Sequence, residues 1–430
     1  MTTHINPNAN CDPTGRCFIC YRRSQISDVQ SLVEAFLDVG VPPWQDRRNL
    51  ASEPLGPALR AAITDKDTAG VLIWISRDLE SSPTVLEIEA PTALERARSD
   101  SDFFVDLWLT NGMDFASAAS AFKPAGIIED VADAWNLKRA EVDANEQLKV
   151  GESLRIAGEV LARRLGILHA SLPHSTPLRV LFNAFGDTPE AYVPGYAIQI
   201  QWSRHFDQRF ASHQAWASRL IPALETVLHA IRRSAPGRPI QVEGRASLSA
   251  SLALGRVFRE VAGVNVSWLQ HPSGMRWSLS EREIDSGFIS EPLRELNVKS
   301  KELAVFVSVT GSVEPAVAAT RQSDPRLTFR AIASIQPTNG AARRDIQTPG
   351  AATHLAHLVA QTIREARTTL RVVERTHLFL AGPSALAGLI GQQLNALGPV
   401  QTYEHSQHTD AVGCYVPAAL LLDKAPTFRV

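Results

Sequence analysis

Between residues 17 and 98, apolar runs of strand length alternate with stretches whose apolar positions recur every three or four residues. Residues 17–21 (CFICY) read as a strand, and 26–40 as an amphipathic helix stopped by Gly40. Residues 41–46 (VPPWQD) read as a short second strand and 53–64 as a second helix. Residues 70–76 (GVLIWIS) are almost continuously apolar, as in the middle of a parallel sheet covered on both faces. A third helix is expected over 84–98. Strand alternating with helix predicts a doubly wound α/β domain.

Residues 101–170 read as helical and polar, most clearly over 137–166, and are expected to hold a connector or spacer. From 171 onward the α/β pattern returns, in two passes. The first holds a strand at 238–244, a helix over 247–261 and a strand at 264–270. The second holds strands at 303–312, 327–335 and 376–382, with helices after Pro315, around 353–367 and from Ser384. Two similar α/β lobes are expected, although the two passes share little identity. The predicted organisation is 1–140, a connector at 141–170, and 171–430.

Composition narrows the class of protein. Hydrophobic residues make up 44% of the 430-residue chain and charged residues 20%, as in a well-packed globular protein. No apolar run reaches the ~20 residues that span a bilayer, and residues 1–16 are polar, so no membrane association and a cytoplasmic location are expected. The net charge is −2. Residues 1–110 carry 10 basic and 16 acidic side chains, which leaves the remainder net positive. No Lys/Arg-rich stripe is present, so duplex DNA is not the expected partner.

Cys11, Cys17 and Cys20 lie close together, but no second Cys or His pair follows at ligand spacing. They read as core thiols, and no metal is expected. At the carboxyl ends of the first three strands the chain delivers Tyr21-Arg22-Arg23-Ser24, Trp44-Gln45-Asp46 and, after Ile75-Ser76, a helix carrying Glu87 and Glu89. These two carboxylates are about 200° apart around an α-helix and cannot share a face. In the second half, three turns of small residues precede helices: Arg245 to Ser249, Thr310-Gly311-Ser312 and Gly382-Pro383-Ser384. Such turns present backbone N–H groups to phosphate. None matches a nucleoside-triphosphate loop or a dinucleotide fingerprint.

The run Phe18-Ile19-Cys20-Tyr21-Arg22-Arg23 resembles the first signature of TIR domains, and Pro43-Trp44-Gln45-Asp46 the second. Ser82-Pro83-Thr84-Val85-Leu86-Glu87-Ile88 resembles the segment that carries the catalytic glutamate of enzymatic TIR domains, with Pro83 in place of the usual tryptophan. The resemblance implies a flavodoxin-like parallel sheet and an NAD⁺ glycohydrolase with Glu87 as its carboxylate. Glu89 is the rival. Tyr21, Arg22 and Asp46 would line the nucleotide site, and Trp44 would belong either to that site or to the core.

Residues 244–255, 305–312 and 377–395 together resemble the SAVED domain, a fused pair of CARF-like (Rossmann-like) lobes that binds cyclic oligonucleotides. Val400 to Glu404 resembles its closing strand. By that resemblance Arg245, Ser247, Thr310, Gly311, Ser312 and Ser384 would face the ligand, Tyr403 would stack on a base, and Trp202 and Arg204 would reach the pocket. The combination resembles effectors of the CBASS antiphage system. It implies NAD⁺ as substrate, a cyclic oligoadenylate such as cyclic triadenylate as activator, no further cofactor, and a ligand-dependent homo-oligomer or filament. A non-catalytic TIR adaptor and a TIR cyclase making a cyclic ADP-ribose messenger are the alternative readings.

Overall fold

The computed structural model describes residues 11–45, 49, 54–110, 113–122, 137–143, 147–259, 262–339, 345–407 and 413–423. The chain divides into two compact units, and each is taken by itself. Unit 1 comprises residues 1–181, 190–201 and 226–238; unit 2 comprises 182–189, 202–225 and 239–430.

Unit 1 is built on a parallel sheet of β1 (Arg16–Cys20), β2 (Pro43–Trp44), β3 (Thr68–Ile75), β4 (Phe104–Leu109) and β5 (Leu137–Arg139). The order is β2-β1-β3-β4-β5, a doubly wound order with its switch point between β1 and β3. All eight residues of β3 are buried, as its apolar run predicts. Helix α1 (Ile26–Val39) ends where Gly40 takes a φ of 87° and returns its N–H to the Phe36 carbonyl. Helix α2 (Leu55–Thr64) follows β2.

The segment expected as one helix over 84–98 is two pieces. Val85–Glu89 forms a π-turn, and α3 (Ala90–Ser99) continues from it. The cause is Pro91, which has no N–H to give the Glu87 carbonyl. The amide of Ala90 bonds instead to Val85 O, five residues back. Arg60 Nη2 lies 3.5 Å from the Glu87 carbonyl that the proline leaves without a helical donor.

Two expectations for residues 101–170 fail. Phe104–Leu109 and Leu137–Arg139 are strands. Asp106 makes the first look polar, but it is buried against Arg163 at 2.5 Å and Lys138 at 3.6 Å. After α4 (Phe115–Phe122), the long helix α5 (Val150–Ser171) is an integral part of unit 1 rather than a spacer. Its Arg164 is wholly buried and donates to the carbonyls of Thr14, Gly15 and Tyr196.

Strand β6 (Leu178–Asn183) begins in unit 1 and ends in unit 2, β7 (Ile198–Gln201) lies in unit 1, and β8 (Phe206–Asp207) with β9 (Phe210–Ala211) makes a minimal hairpin in unit 2. Helix α6 (Ile221–Ser234) follows. Unit 2 then repeats one motif. In its first copy β10 (Ile240–Glu243), α7 (Leu248–Val257) and β11 (Val266–Gln270) form a parallel β-α-β unit, and β12 (Met275–Ser278) returns antiparallel. In its second copy β17 (Arg375–Ala381), α10 (Ser384–Gln393) and β18 (Val400–Ser406) do the same, and β19 (Cys414–Leu421) returns. Between them β13 (Phe288–Ser290), β14 (Arg294–Glu295), β15 (Glu302–Ser308), α8 (Glu314–Ser323), β16 (Ala331–Pro337) and α9 (Pro349–Leu370) extend the sheet of the second copy.

Helices α7 and α10 cross at backbone contact. A Cβ on Gly255 would overlap the Gly388 carbonyl and approach Gln392 N, and one on Gly391 would overlap the Leu252 carbonyl and approach Arg256 N. The two sets of contacts are mirror-related: Leu252, Gly255 and Arg256 correspond to Gly388, Gly391 and Gln392. The repeat that the sequence only hints at is therefore explicit in the packing.

Substituting Gly255 or Gly391 by Val is expected to destabilise the chain by about 1–3 kcal/mol through overpacking. Gly151→Ala, where a Cβ meets nothing within 4 Å, is expected to be neutral or slightly stabilising. Urea midpoints of the three variants test this.

Candidate functional site

In unit 1, functional groups gather where β1, β2 and the segment after β3 meet at the carboxyl edge of the sheet. The π-turn decides which carboxylate enters this crevice. Glu87 is exposed, whereas Glu89 is buried and accepts a hydrogen bond from Cys20 Sγ at 2.8 Å. Burial, and then the neighbouring Glu89 carboxylate, push the Cys20 thiol well above its ordinary range, so it stays protonated and can donate. Of the two carboxylates, the expected catalytic Glu87 is thus the exposed one and its rival Glu89 the buried one.

The other expected residues divide. Tyr21 is half-buried, and its hydroxyl accepts from Gln45 Nε2 at 3.0 Å. Trp44 is buried and stacks on Phe18 with ring centroids 4.4 Å apart, which makes it a core residue. Arg22 forms an ion pair with Asp78 at 2.9 Å and donates to Ser81 Oγ, tying the loop after β3 to the end of β1. Asp46 lies outside the described residues. Cys17 and Cys20 are fully buried in β1, and burial raises both thiols. Gln45, buried and bonded to Tyr21, and Cys20 are the members of this cluster that were not anticipated.

In unit 2, the α7 N-terminus does not present free N–H groups to a ligand. Ser247 is buried and caps the helix through Ala250 N, and the amide of Ser249 donates to Glu404 Oε1 at 2.5 Å. Burial raises the Glu404 carboxyl to about 7 against the pull of the Ser249 and Ser247 hydrogen bonds. The protein thus supplies its own acceptor, a carboxyl oxygen, where a ligand phosphate was expected. At the matching end of α10, Pro383 provides no side-chain cap. Ser384 and Ala385 there line a cavity with Gly244, Ala246, Trp268 and Phe182. Gly244 is required at its place: its φ is 128°, and a Cβ would overlap the Phe182 carbonyl.

Of the expected ligand residues, Ser384 lines this cavity and Arg245 and Ser247 flank its wall residue Ala246. Arg245 is exposed, with its guanidinium 4.1 Å from the Phe185 ring centroid. Thr310, Gly311 and Ser312 form the turn after β15 and are not among the cavity's lining residues. Trp202 is wholly buried, edge-on to Phe182 and Trp216, and is core. Arg204 is half-buried in a short helical turn beside it. Tyr403 is buried too, on the face of β18 opposite to Glu404, because successive strand residues point to opposite faces. It therefore cannot share a ligand with the α7 N-terminus.

Unit 2 is thus an α/β sensor-type module of two βαββ repeats with a cavity at their junction. Residues 223–421 match the SAVED family, the SMODS-associated and fused to various effectors sensor domain. CD-NTase-associated protein 4 of Enterobacter hormaechei subsp. hoffmannii (strain UCI 50) is 25% identical over 217 residues, 50% of this chain and 42% of that protein, so the chain matches less than half the length of this relative. The Acinetobacter baumannii Cap4 SAVED/CARF-domain containing receptor with the cyclic trinucleotide 2'3'3'-cAAA is similar with a TM-score of 0.48 at 13% identity, over 87% of this chain and 86% of that one. The Moraxella osloensis Cap4 receptor is similar with a TM-score of 0.43 at 12% identity, over 93% and 99%. Among the described residues no helix is long and apolar enough to cross a membrane.

The state of Glu404 makes stability pH-dependent. Its folded value, about 7, lies above its ordinary 4.5, so the folded chain keeps a proton that the unfolded chain loses between these values. Stability therefore falls as pH rises through this window. Glu404→Gln removes the titration, and its melting temperature relative to the unmodified protein should rise between about pH 5 and about pH 8. A constant difference would show that Glu404 does not titrate there.

Proposed function

We propose that this chain is a cyclic-oligonucleotide-gated NAD⁺ glycohydrolase of a CBASS antiphage system, with the SAVED domain as sensor and unit 1 as a TIR-type effector. The observation that carries the catalytic part is the buried carboxylate of Glu89 at the β1/β3 switch point, where doubly wound sheets bind ligands. The parallel order of the sheet and the motif resemblance of residues 18–23 and 43–46 support the TIR reading.

The chemistry asks for little else. Nicotinamide leaves NAD⁺ without needing a proton, and the enzyme has to stabilise the positive charge that grows on the ribose. A fixed anion in a site with little water does this best. Glu89 accepts a hydrogen bond from the Cys20 thiol, which fixes the carboxylate at the sheet edge. In this reading Tyr21 and Gln45, hydrogen-bonded to each other at the ends of β1 and β2, contact the sugar or the nicotinamide amide.

On the sensor side, the open α10 N-terminus at Ser384 accepts a phosphate of a cyclic oligoadenylate, and the side-chain-capped α7 N-terminus does not. Sensing has to reach the effector through an equilibrium that the ligand biases. Ligand-driven association of copies, up to filaments, meets this requirement if a neighbouring chain completes the NAD⁺ site. A heterologous contact of that kind propagates without closing.

Purified protein is to be incubated with NAD⁺ and a panel of cyclic dinucleotides and trinucleotides, with supercoiled plasmid as a parallel substrate. Nicotinamide release that depends on a cyclic trinucleotide is expected. Glu89→Gln should lose about 100-fold or more, while Glu87→Gln should stay within about twofold, as for an exposed surface change. Release that survives in Glu89→Gln and vanishes in Glu87→Gln would reverse the assignment. Plasmid cleavage without nicotinamide release would overturn the NAD⁺ reading itself.

A further inference from the structure

A second cavity in unit 2 lies apart from Ser384 and Glu404. Helix α8 has 10 residues, roughly 15 Å of helix, whereas the strands beneath it, β17 and β18, have 7 each, roughly 23 Å of sheet. The helix stops short, and beyond its end a cavity of about 400 Å³ remains over the sheet. Its lining includes Asp324, Leu327, Arg375, Gln401, Tyr403 and Tyr415. That volume falls within the usual range for small-molecule sites.

The sheet face below is otherwise apolar, built from Ala304, Phe306, Phe379 and Tyr415. Into it the chain places a chain of polar groups. Tyr403 Oη lies 2.7 Å from His377 Nδ1, and His377 Nε2 lies 2.9 Å from Glu302 Oε2. His377 and Tyr403 are each more than nine-tenths buried. Burial lowers the His377 ring below its ordinary value, so it is neutral near pH 7. With Glu302 accepting from Nε2–H, Nδ1 accepts the Tyr403 proton, and the Tyr403 oxygen keeps its lone pairs for another donor. A packed core gains nothing from such a relay that apolar residues would not supply more cheaply.

The groups on offer are complementary to one kind of small molecule. Tyr403 Oη is an acceptor and calls for an N–H donor, as does the lone pair left on Asp324 Oδ2, whose carboxylate otherwise accepts from the Arg326 amide and guanidinium. Hydrogen bonds within the 324–326 turn keep Asp324 below its ordinary value. Arg375, exposed at the rim, calls for an anion. Tyr415, Leu327 and Pro417 supply apolar wall for a flat ring. We propose that this cavity binds one amino-substituted purine mononucleotide, its exocyclic amine toward Tyr403 and Asp324 and its phosphate toward Arg375. The proposal is independent of the NAD⁺ reading and of the SAVED cavity at Ser384.

Calorimetric titration of the full chain with AMP tests it, using IMP (no exocyclic amine) and adenosine (no phosphate) as comparisons. Saturable one-to-one binding of AMP is expected, with IMP and adenosine each about tenfold weaker, the loss of one good polar contact. Arg375→Ala leaves the core untouched and should weaken AMP about tenfold while bringing AMP and adenosine to similar affinities. Tyr403→Phe should reduce the preference for AMP over IMP. The absence of saturable AMP binding up to about 5 mM overturns the proposal. Binding that Arg375→Ala leaves unchanged overturns it as well, because the nucleotide then sits elsewhere. Equal affinity for AMP and IMP overturns the amine assignment.

Discussion

The crossing of α7 and α10 at Gly255 and Gly391 is the constraint on which unit 2 depends, because it lets two backbones approach where any side chain would collide. That contact holds the two βαββ copies in mirrored register. It also places the two helix N-termini, at Ser247 and Ser384, in equivalent positions of the repeat. Symmetry of backbone does not carry through to chemistry. One N-terminus is closed by Ser247 and Glu404, and the other has no side-chain cap and opens on a cavity.

A single missing hydrogen-bond donor plays the comparable part in unit 1. Without an amide at Pro91 the chain cannot close a regular turn on Glu87, and the extra residue is absorbed in the π-turn. The register downstream is shifted so that Glu89 points into the sheet edge. Burying a carboxylate there costs free energy, and the Cys20 thiol offsets part of it. Irregular helical turns that hold a buried acid at a switch point are seldom retained for packing alone, since a Leu in a regular helix would be more stable.

How much of this was legible in the sequence depends on whether the signal was local. The β3 run and the stop at Gly40 are local patterns, and both strand and cap lie where the pattern puts them. The Cys20–Glu89 bond joins residues 69 apart and has no local signature. The π-turn is in principle readable: a proline four residues after a glutamate, inside a helical pattern, marks a carbonyl that loses its donor. Helix α5 was misjudged because Arg163 and Arg164 look like a solvated face, whereas their partners are strand and loop carbonyls and the buried Asp106. Strand β4 was missed for the same reason, seen from the other side of the same ion pair.

Tyr403 and Glu404 show why a motif can be found while its role is misplaced. The segment 400–406 is a strand, as its resemblance to a closing strand suggests. Neighbouring residues of a strand serve different faces, so the match of the run as a whole says nothing about which of the two meets the ligand. The structure puts Glu404 against α7 and Tyr403 against His377. Each is a buried polar group held by specific partners, and Tyr403 also lines a cavity. Groups of this kind are expensive to keep, so their positions are the best physical guide to where this chain meets other molecules. By that criterion the described residues hold three such places: the crevice at Glu89, the cavity at Ser384 beside the α7 cap, and the uncovered sheet face beyond α8.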